Sequence, residues 1–255
     1  MIRQQLLTPN RDRAGFRWRG TEVSRVEGFS DAVFAFAVTL LVVSLEVPKT
    51  FTELLTTMRS FIPFGVSFLM LMQIWHWHYE YFGRYGLRDR PTTWLNAGLL
   101  FVVLFYVYPM KFLFTILSDQ LLGIDPSAVA TAGGQAPILA ESQTTLLMLV
   151  YGAGYIAVHG VFAVLYIHAY RRATPLGLSE LELLDTQAGV ERFALLAMVG
   201  VLSLAVAFSP LPSASAWAGW VYLLIGPVRW WYGARIAARR RAGASPTGRA
   251  SPSSS

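Results

Sequence analysis

The chain has 255 residues, of which 54% are hydrophobic and only 14% charged. Soluble domains carry roughly 25% charged residues, so a body of this size lacks the charge to cover its surface in water. With a mean hydropathy of +0.45, the composition excludes a soluble globular protein and leaves an integral membrane protein. The excess of 21 Lys and Arg over 15 Asp and Glu gives a net charge of +6. That charge flanks apolar stretches and reads as membrane topology, not as nucleic-acid binding. The absence of cysteine removes disulfides, thiolate chemistry and cysteine-ligated metal.

Residues 1–24 carry Arg3, Arg11, Arg13, Arg17 and Arg19, with no apolar h-region and no small-residue cleavage site. They are expected to form a basic cytoplasmic segment and not a cleaved signal. A membrane-crossing helix needs about 20 mostly apolar residues. Six stretches qualify, at 26–48, 62–83, 94–117, 144–170, 191–209 and 216–234. The first opens with Ser24 and Glu27 in capping-box spacing and is closed by Pro48. The second ends at Gly83, the third follows Pro91 and Thr92, and the fourth stops at Arg171 and Arg172. The stretch 118–143, with its AVATAGGQAP run, reads as a flexible outer loop. At 175–190, Ser179 and Glu182 repeat the capping-box spacing ahead of a leucine stripe, which predicts a short helix on the membrane surface. Residues 237–255 are low-complexity and basic, and are expected to be a disordered cytoplasmic tail. The fold class is therefore an all-α integral membrane protein, its six transmembrane helices lying within 25–236.

Charge sets the orientation. Eighteen of the nineteen arginines fall on one side of these six spans, leaving Lys49, Arg59 and Lys111 on the other. By the positive-inside rule both termini are cytoplasmic, and an even number of spans agrees with that. The single six-span unit and the preference for Arg over Lys point to the plasma (inner) membrane of a bacterium.

The first span carries most of the chemistry. Asp31 lies six residues beyond Arg25, roughly 9 Å along a helix axis. A carboxylate at that depth is costly and calls for a partner. By position along their own spans, His76 and His78 of the second and Asn96 of the third reach a similar depth. These residues, with Ser30, are expected to form a polar cluster at the cytoplasmic end. Such a cluster can brace helices against one another or pass protons. Trp75 and Trp77 can donate indole N–H groups to it, although ordinary packing suits them as well. On a helical wheel, Phe36, Thr39, Leu40 and Val43 share a sector about 100° wide, with Phe29 in the same stripe and Asp31 and Ser30 pointing away. A face of this kind meets lipid or another helix.

Arg25-x-x-x-Phe29-Ser30-Asp31 resembles the RxxxFSD signature of the transmembrane protein 175 family, whose bacterial members are six-span potassium channels. The following AVFAFAVTLLVVSLEVP is similar to that family's first helix, as are the aromatic-histidine end of span two and the Pro109-containing end of span three. The resemblance implies a homotetramer in which the first helix of each subunit lines a central pore. It implies no carbonyl filter, and a bulky apolar ring as the constriction. Phe36 stands where the family usually has Ile or Leu, and Thr39, Leu40 and Val43 follow as pore-facing positions. An apolar ring gates by dewetting, and four Thr39 hydroxyls would replace part of the hydration shell of a transient potassium ion. The phenyl ring at Phe36 departs from the aliphatic pattern and narrows the passage or offers its face to a cation. Arg25, Ser30, Asp31, His76, His78 and Asn96 are then read as the network that fixes the pore helix, with Arg25 at the inner mouth.

The partners expected are therefore potassium, the bilayer and further copies of the chain; no cofactor, resident metal or nucleic acid is expected. The alternative is a proton-coupled membrane transporter using an Asp31–His relay, although the other spans contain almost no buried charge for a substrate. A bis-histidine haem between His78 and His168 is a third reading. An enzyme is not expected, because no nucleophile elbow, zincin motif, phosphate loop or paired membrane aspartate is present.

Overall fold

The computed structural model describes residues 15–20, 22–43, 48–59, 61–121, 129–131, 134–136, 141–210 and 214–243. Within them the chain runs through α1 (Arg25–Val43), α2 (Phe51–Arg59), α3 (Phe61–Tyr85), α4 (Arg90–Leu121), β1 (Val129–Thr131), β2 (Gly134–Ala136), α5 (Glu141–Arg171), α6 (Ala173–Leu176), α7 (Glu180–Ala207), α8 (Ala214–Val221), a 3₁₀ turn (Tyr222–Leu224) and α9 (Ile225–Gly243). By length and composition, α1 and the segments Arg90–Ser118, Gln143–Arg171 and Glu180–Ala207 are apolar enough to cross a membrane. At 25 residues α3 is also long enough, but its second half, WHWHYEYF, trades aliphatic side chains for aromatic and titratable ones.

Local chemistry explains most boundaries. Ser24 and Glu27 close the expected capping box on α1: Glu27 N–H donates to Ser24 Oγ at 3.2 Å, and Ser24 N–H donates to Glu27 Oε1 at 3.2 Å. Gly86, at φ 57°, ends α3 in the left-handed conformation that favours glycine. Asp89 caps α4, its carboxylate accepting from the Thr92 N–H and hydroxyl, while Pro91 sits in the first turn, where its missing donor costs nothing. Ser179 and Glu182 form the second capping box.

Five features differ from the sequence-based expectation. The helix capped by Ser179 is no separate surface element: it runs unbroken from Glu180 to Ala207, because nothing between 180 and the fifth span forbids an α conformation. The short helix α2 was not expected. It leads from Pro48 to α3 with Phe51, Leu54, Leu55 and Met58 exposed. The sixth stretch is interrupted at Tyr222–Leu224, just ahead of Pro227, which has no N–H for the carbonyl of Leu223 and crowds it. In the stretch expected as a flexible outer loop, β1 and β2 pair antiparallel, with Val129 opposite Ala136 and Thr131 opposite Gly134. Beyond 236, α9 continues to Gly243, and the rest of the expected tail, 244–255, lies outside the described residues, as do 1–14.

One face of α1, with Phe34, Ala37 and Leu41, enters the core against α3 and α4. The most extensive packing joins α5 to α7. Leu204 fills the space above Gly152, and the ring of Tyr166 fills that above Gly189. Lipid tails are as apolar as leucine, so such small-residue approaches and interhelical hydrogen bonds take over the cohesive role that water exclusion has in soluble cores.

Candidate pore helix and its anchoring network

The polar cluster predicted at the inner end of α1 is present, with different pairings. His78 Nε2 lies 2.9 Å from Asn96 Oδ1, Asn96 Nδ2 donates to Ser30 Oγ at 2.8 Å, and Ser30 Oγ donates to the Val26 carbonyl at 2.7 Å. An amide oxygen only accepts, so His78 carries its proton on Nε2 here. Each link then donates toward α1, and the chain ends on a backbone carbonyl with a lone pair to spare. Ser30, His78 and Asn96 are all buried. The His78 ring is wedged between Phe34 at 5.7 Å and Phe82 at 4.5 Å. Three helices are thus joined by one closed run of hydrogen bonds, as backbone and side chains remote from water require.

Asp31 is not part of that run. Its Oδ1 accepts from Trp75 Nε1 at 2.8 Å, on the exposed side of the helix pair, and Trp75 stacks on Tyr79 at 5.7 Å. This corrects the expectation that a histidine meets Asp31: His78 is taken by Asn96, and His76, two residues away on α3, is exposed. An indole N–H does not exchange protons on a transport cycle, so the Asp31–His relay of the transporter reading is not assembled. Trp77 is a packing residue, edge-on to Phe162 and Phe193. Arg25 is exposed at the first turn of α1.

Opposite the buried face, α1 presents Phe29 (65% exposed), Phe36 (55%) and Val43 (73%) in one stripe seven residues apart, with Thr39 also exposed. Leu40 is the exception among the predicted pore-facing residues: it is half-buried and leans on the core. The Thr39 hydroxyl donates to the Ala35 carbonyl at 3.0 Å. Its oxygen is thereby left with lone pairs and no proton toward the open side. Thr39 is also the one polar side chain between Asp31 and Val43.

A second set of contacts ties the segment ahead of α1 to the ends of α3 and α7, and sequence reasoning missed it. Arg19 forms an ion pair with Glu182 at 2.7 Å and donates to the Leu176 and Gly177 carbonyls at 2.8 and 3.1 Å. Phe16 is buried beside Tyr85, and Arg19 and Gly20 N–H both donate to the Gly83 carbonyl at 3.0 Å. The segment ahead of α1 is therefore laced across the ends of α3 and α7. Nothing in the spacing of Arg19 and Glu182, 163 residues apart, announces the pair. His168 Nε2 meets Asp89 Oδ2 at 2.7 Å. Burial alone would raise the Asp89 pKa, but hydrogen bonds from Thr92 and His168 outweigh it and hold the carboxyl below its usual value. With Nε2 of His78 on Asn96 and Nε2 of His168 on Asp89, the bis-histidine haem site has no free ligand pair of the usual kind. Among the described residues, no three His, Cys, Asp or Glu side chains gather as a metal site.

Comparison with known proteins agrees with this layout. The family described as endosomal/lysosomal potassium channel TMEM175 matches residues 25–106, from the start of α1 through the first half of α4. A potassium channel of Marivirga tractuosa is 40% identical over 200 residues, covering 78% of each chain. A crystal structure of a variant of the potassium channel MtTMEM175, bound to a nanobody–MBP fusion, superposes with a TM-score of 0.77 at 36% identity. The match covers 90% of this chain and 100% of that one. A lysosomal potassium-selective channel TMEM175 homologue from Chamaesiphon minutus shares the fold, with a TM-score of 0.52 at 22% identity over 83% and 96% of the two chains. The signature that opens α1, the buried network behind it and these likenesses over most of the chain place the protein in the TMEM175 potassium channel family.

Proposed function

We propose that the protein is a multi-pass, potassium-permeable leak channel of a bacterial plasma membrane, built from four copies whose α1 helices surround the pore. In this arrangement α1, α3, α4, α5, α7 and the α8–α9 pair make six crossings, with both termini in the cytoplasm. The observation that carries the reading is the two-sidedness of α1. One face is fixed to the bundle by apolar packing and the His78–Asn96–Ser30 chain, and the other leaves Phe29, Phe36 and Val43 uncovered.

The mechanism follows from what each layer offers an ion. A ring of Phe36 side chains holds no hydrogen-bonding group, so water in it is easily lost and the ring acts as a hydrophobic barrier. About one turn further out, the Thr39 oxygens present lone pairs to a partly dehydrated cation. Potassium sheds its hydration more easily than sodium and is favoured there. Val43, with Leu40 at the edge of the face, completes an apolar wall. Arg25, exposed at the first turn of α1, stands at the inner mouth, and Asp31 is held to Trp75 and fixes the helix.

The test is the reversal potential of purified protein in a planar bilayer, with potassium on one side and sodium on the other. Reversal displaced toward the potassium equilibrium potential is expected, with larger currents from Phe36→Ala. Silence from wild type and from a folded, tetrameric Phe36→Ala alike would refute the pore reading.

A further inference from the structure

On the far side of the bundle from α1, a cavity of about 320 Å³ opens between α3, α5, α7 and α9. Its polar lining is Glu80 and Arg84 of α3, Tyr166 of α5, Asp185 and Arg192 of α7, and Arg229 and Tyr232 of α9. The volume is many times that of one water, about 30 Å³. The lining is held in place from several directions. Arg84 is paired with Glu80 at 2.7 Å, Tyr232 donates to the Ala188 carbonyl at 2.7 Å, and the Tyr166 ring seats against Gly189, where a Cβ would lie 2.2 Å from it.

Two donors in this lining lack an acceptor. Tyr166 is 1% exposed, and although Arg84 donates toward its oxygen, its hydroxyl proton finds no acceptor, and neither does the buried Nε–H of Arg192. Buried polar groups are rarely left in that state. Both are donors, so the missing group is an acceptor, and an oxyanion satisfies a guanidinium N–H and a phenol more strongly than a neutral oxygen does. Its depth is marked by Trp230 and Trp231, exposed beside Arg229 and Tyr232 on α9, as interfacial aromatic residues are. Leu195, Leu196, Val228 and Ile236 supply an apolar side. A small soluble anion has no use for that side, whereas the glycerol and first methylenes of a lipid do.

We propose that this cavity binds a phosphate oxyanion presented by an anionic phospholipid, its oxygens accepting from Tyr166 Oη and the Arg192 guanidinium, with Arg229 at the entrance. The site is separate from the pore helix and does not depend on the conduction mechanism.

The experiment uses full-length protein in detergent. Thermal unfolding is followed while phosphatidylglycerol, phosphatidylcholine or inorganic phosphate is added. Ligand that binds only the folded state at ten times its Kd raises Tm by about 3–6 °C for a chain of this size. Phosphatidylglycerol is expected to give this rise and phosphatidylcholine none. Tyr166→Phe keeps the buried ring against Gly189, should fold without lipid, and should lose most of the rise. Arg192→Gln should lose it as well. Equal shifts from both lipids, or an undiminished phosphatidylglycerol shift in Tyr166→Phe, overturn the site. The same rise from inorganic phosphate alone, lost in Tyr166→Phe, overturns the lipid source and leaves a phosphate site.

Discussion

Replacing Asn96 with Leu tests whether the hydrogen-bonded chain behind α1 is a brace. The substitution keeps the branched shape, with a larger volume, and removes two hydrogen bonds, to His78 at 2.9 Å and to Ser30 at 2.8 Å. Ser30 keeps its bond to the Val26 carbonyl at 2.7 Å, so its hydroxyl proton is not orphaned. The His78 Nε2 proton is, in a buried site. An unsatisfied buried donor costs about 1–3 kcal/mol, and interhelical hydrogen bonds in membranes average about 0.6 kcal/mol. Together these give a loss of about 1.6–3.6 kcal/mol, or about 3–14 °C in Tm at this chain length. Ser30→Ala alone leaves the Asn96 amide short of one acceptor and should cost about 1 kcal/mol. In the Asn96→Leu background that partner is already gone, so Ser30→Ala should cost close to nothing. The assay is a double-mutant cycle on thermal unfolding in one detergent. Costs that add to within about 0.5 kcal/mol would refute the bridge, because independent sites add and a shared bond does not.

Three further outcomes follow from the geometry. Thr39→Val removes an exposed oxygen hydrogen-bonded to its own helix; it should leave Tm within about 0.5 kcal/mol-equivalent while reducing potassium-over-sodium preference in bilayer recordings, and Thr39→Ser should restore it. Asp31→Asn retains an oxygen for the Trp75 donor, so folding and current should both persist; loss of current from a folded Asp31→Asn protein would mean that a titrating carboxylate is needed after all. The Asp89 carboxyl lies below its usual value of 3.8 in the folded protein, so its stabilising effect is present above that pH and fades as pH falls through the lower folded value. The Tm gap between wild type and Asp89→Asn should therefore hold at pH 4.5 and close at lower pH, and a gap that closes between pH 7 and 5 would contradict the sign.

Much of the architecture was legible because it is written in local signals. Apolar stretches of bilayer length marked the helices, and two Ser-x-x-Glu spacings marked two helix starts that are capped as expected. The outward stripe of α1 is a periodicity argument, and Phe29, Phe36 and Val43 do share an exposed face. Matching depth along neighbouring spans was enough to gather Ser30, His78 and Asn96. Depth alone does not choose partners, which is why Asp31 was paired with a histidine instead of Trp75: rotation about each helix axis decides that, and it is set by packing elsewhere in the bundle. The Arg19–Glu182 tie and the Asp89–His168 contact join residues far apart in sequence whose types are common at helix ends. The continuous α7 was misread because a polar, capped start and an apolar crossing look like two elements when hydropathy is weighed before helix breakers.

The closed hydrogen-bond chain and the uncovered stripe are two consequences of one constraint. A helix beside an ion path must be held, and in hydrocarbon its strongest tethers are polar groups that satisfy one another. Placing those groups on the conducting side would put fixed donors in the path of a cation, where each N–H repels it. Here every donor of the run points from His78 toward Asn96, Ser30 and finally the Val26 carbonyl, so the chain is spent within the bundle and contributes no outward N–H. What remains on the open face beyond Asp31 is apolar surface and one hydroxyl, Thr39, whose proton is committed to Ala35. A face with an oxygen lone pair and no free donor tolerates a cation and gives an anion nothing to bind. For the proposed pore, cation preference is thus set by the direction of the hydrogen bonds behind the helix as much as by the residues in front of it.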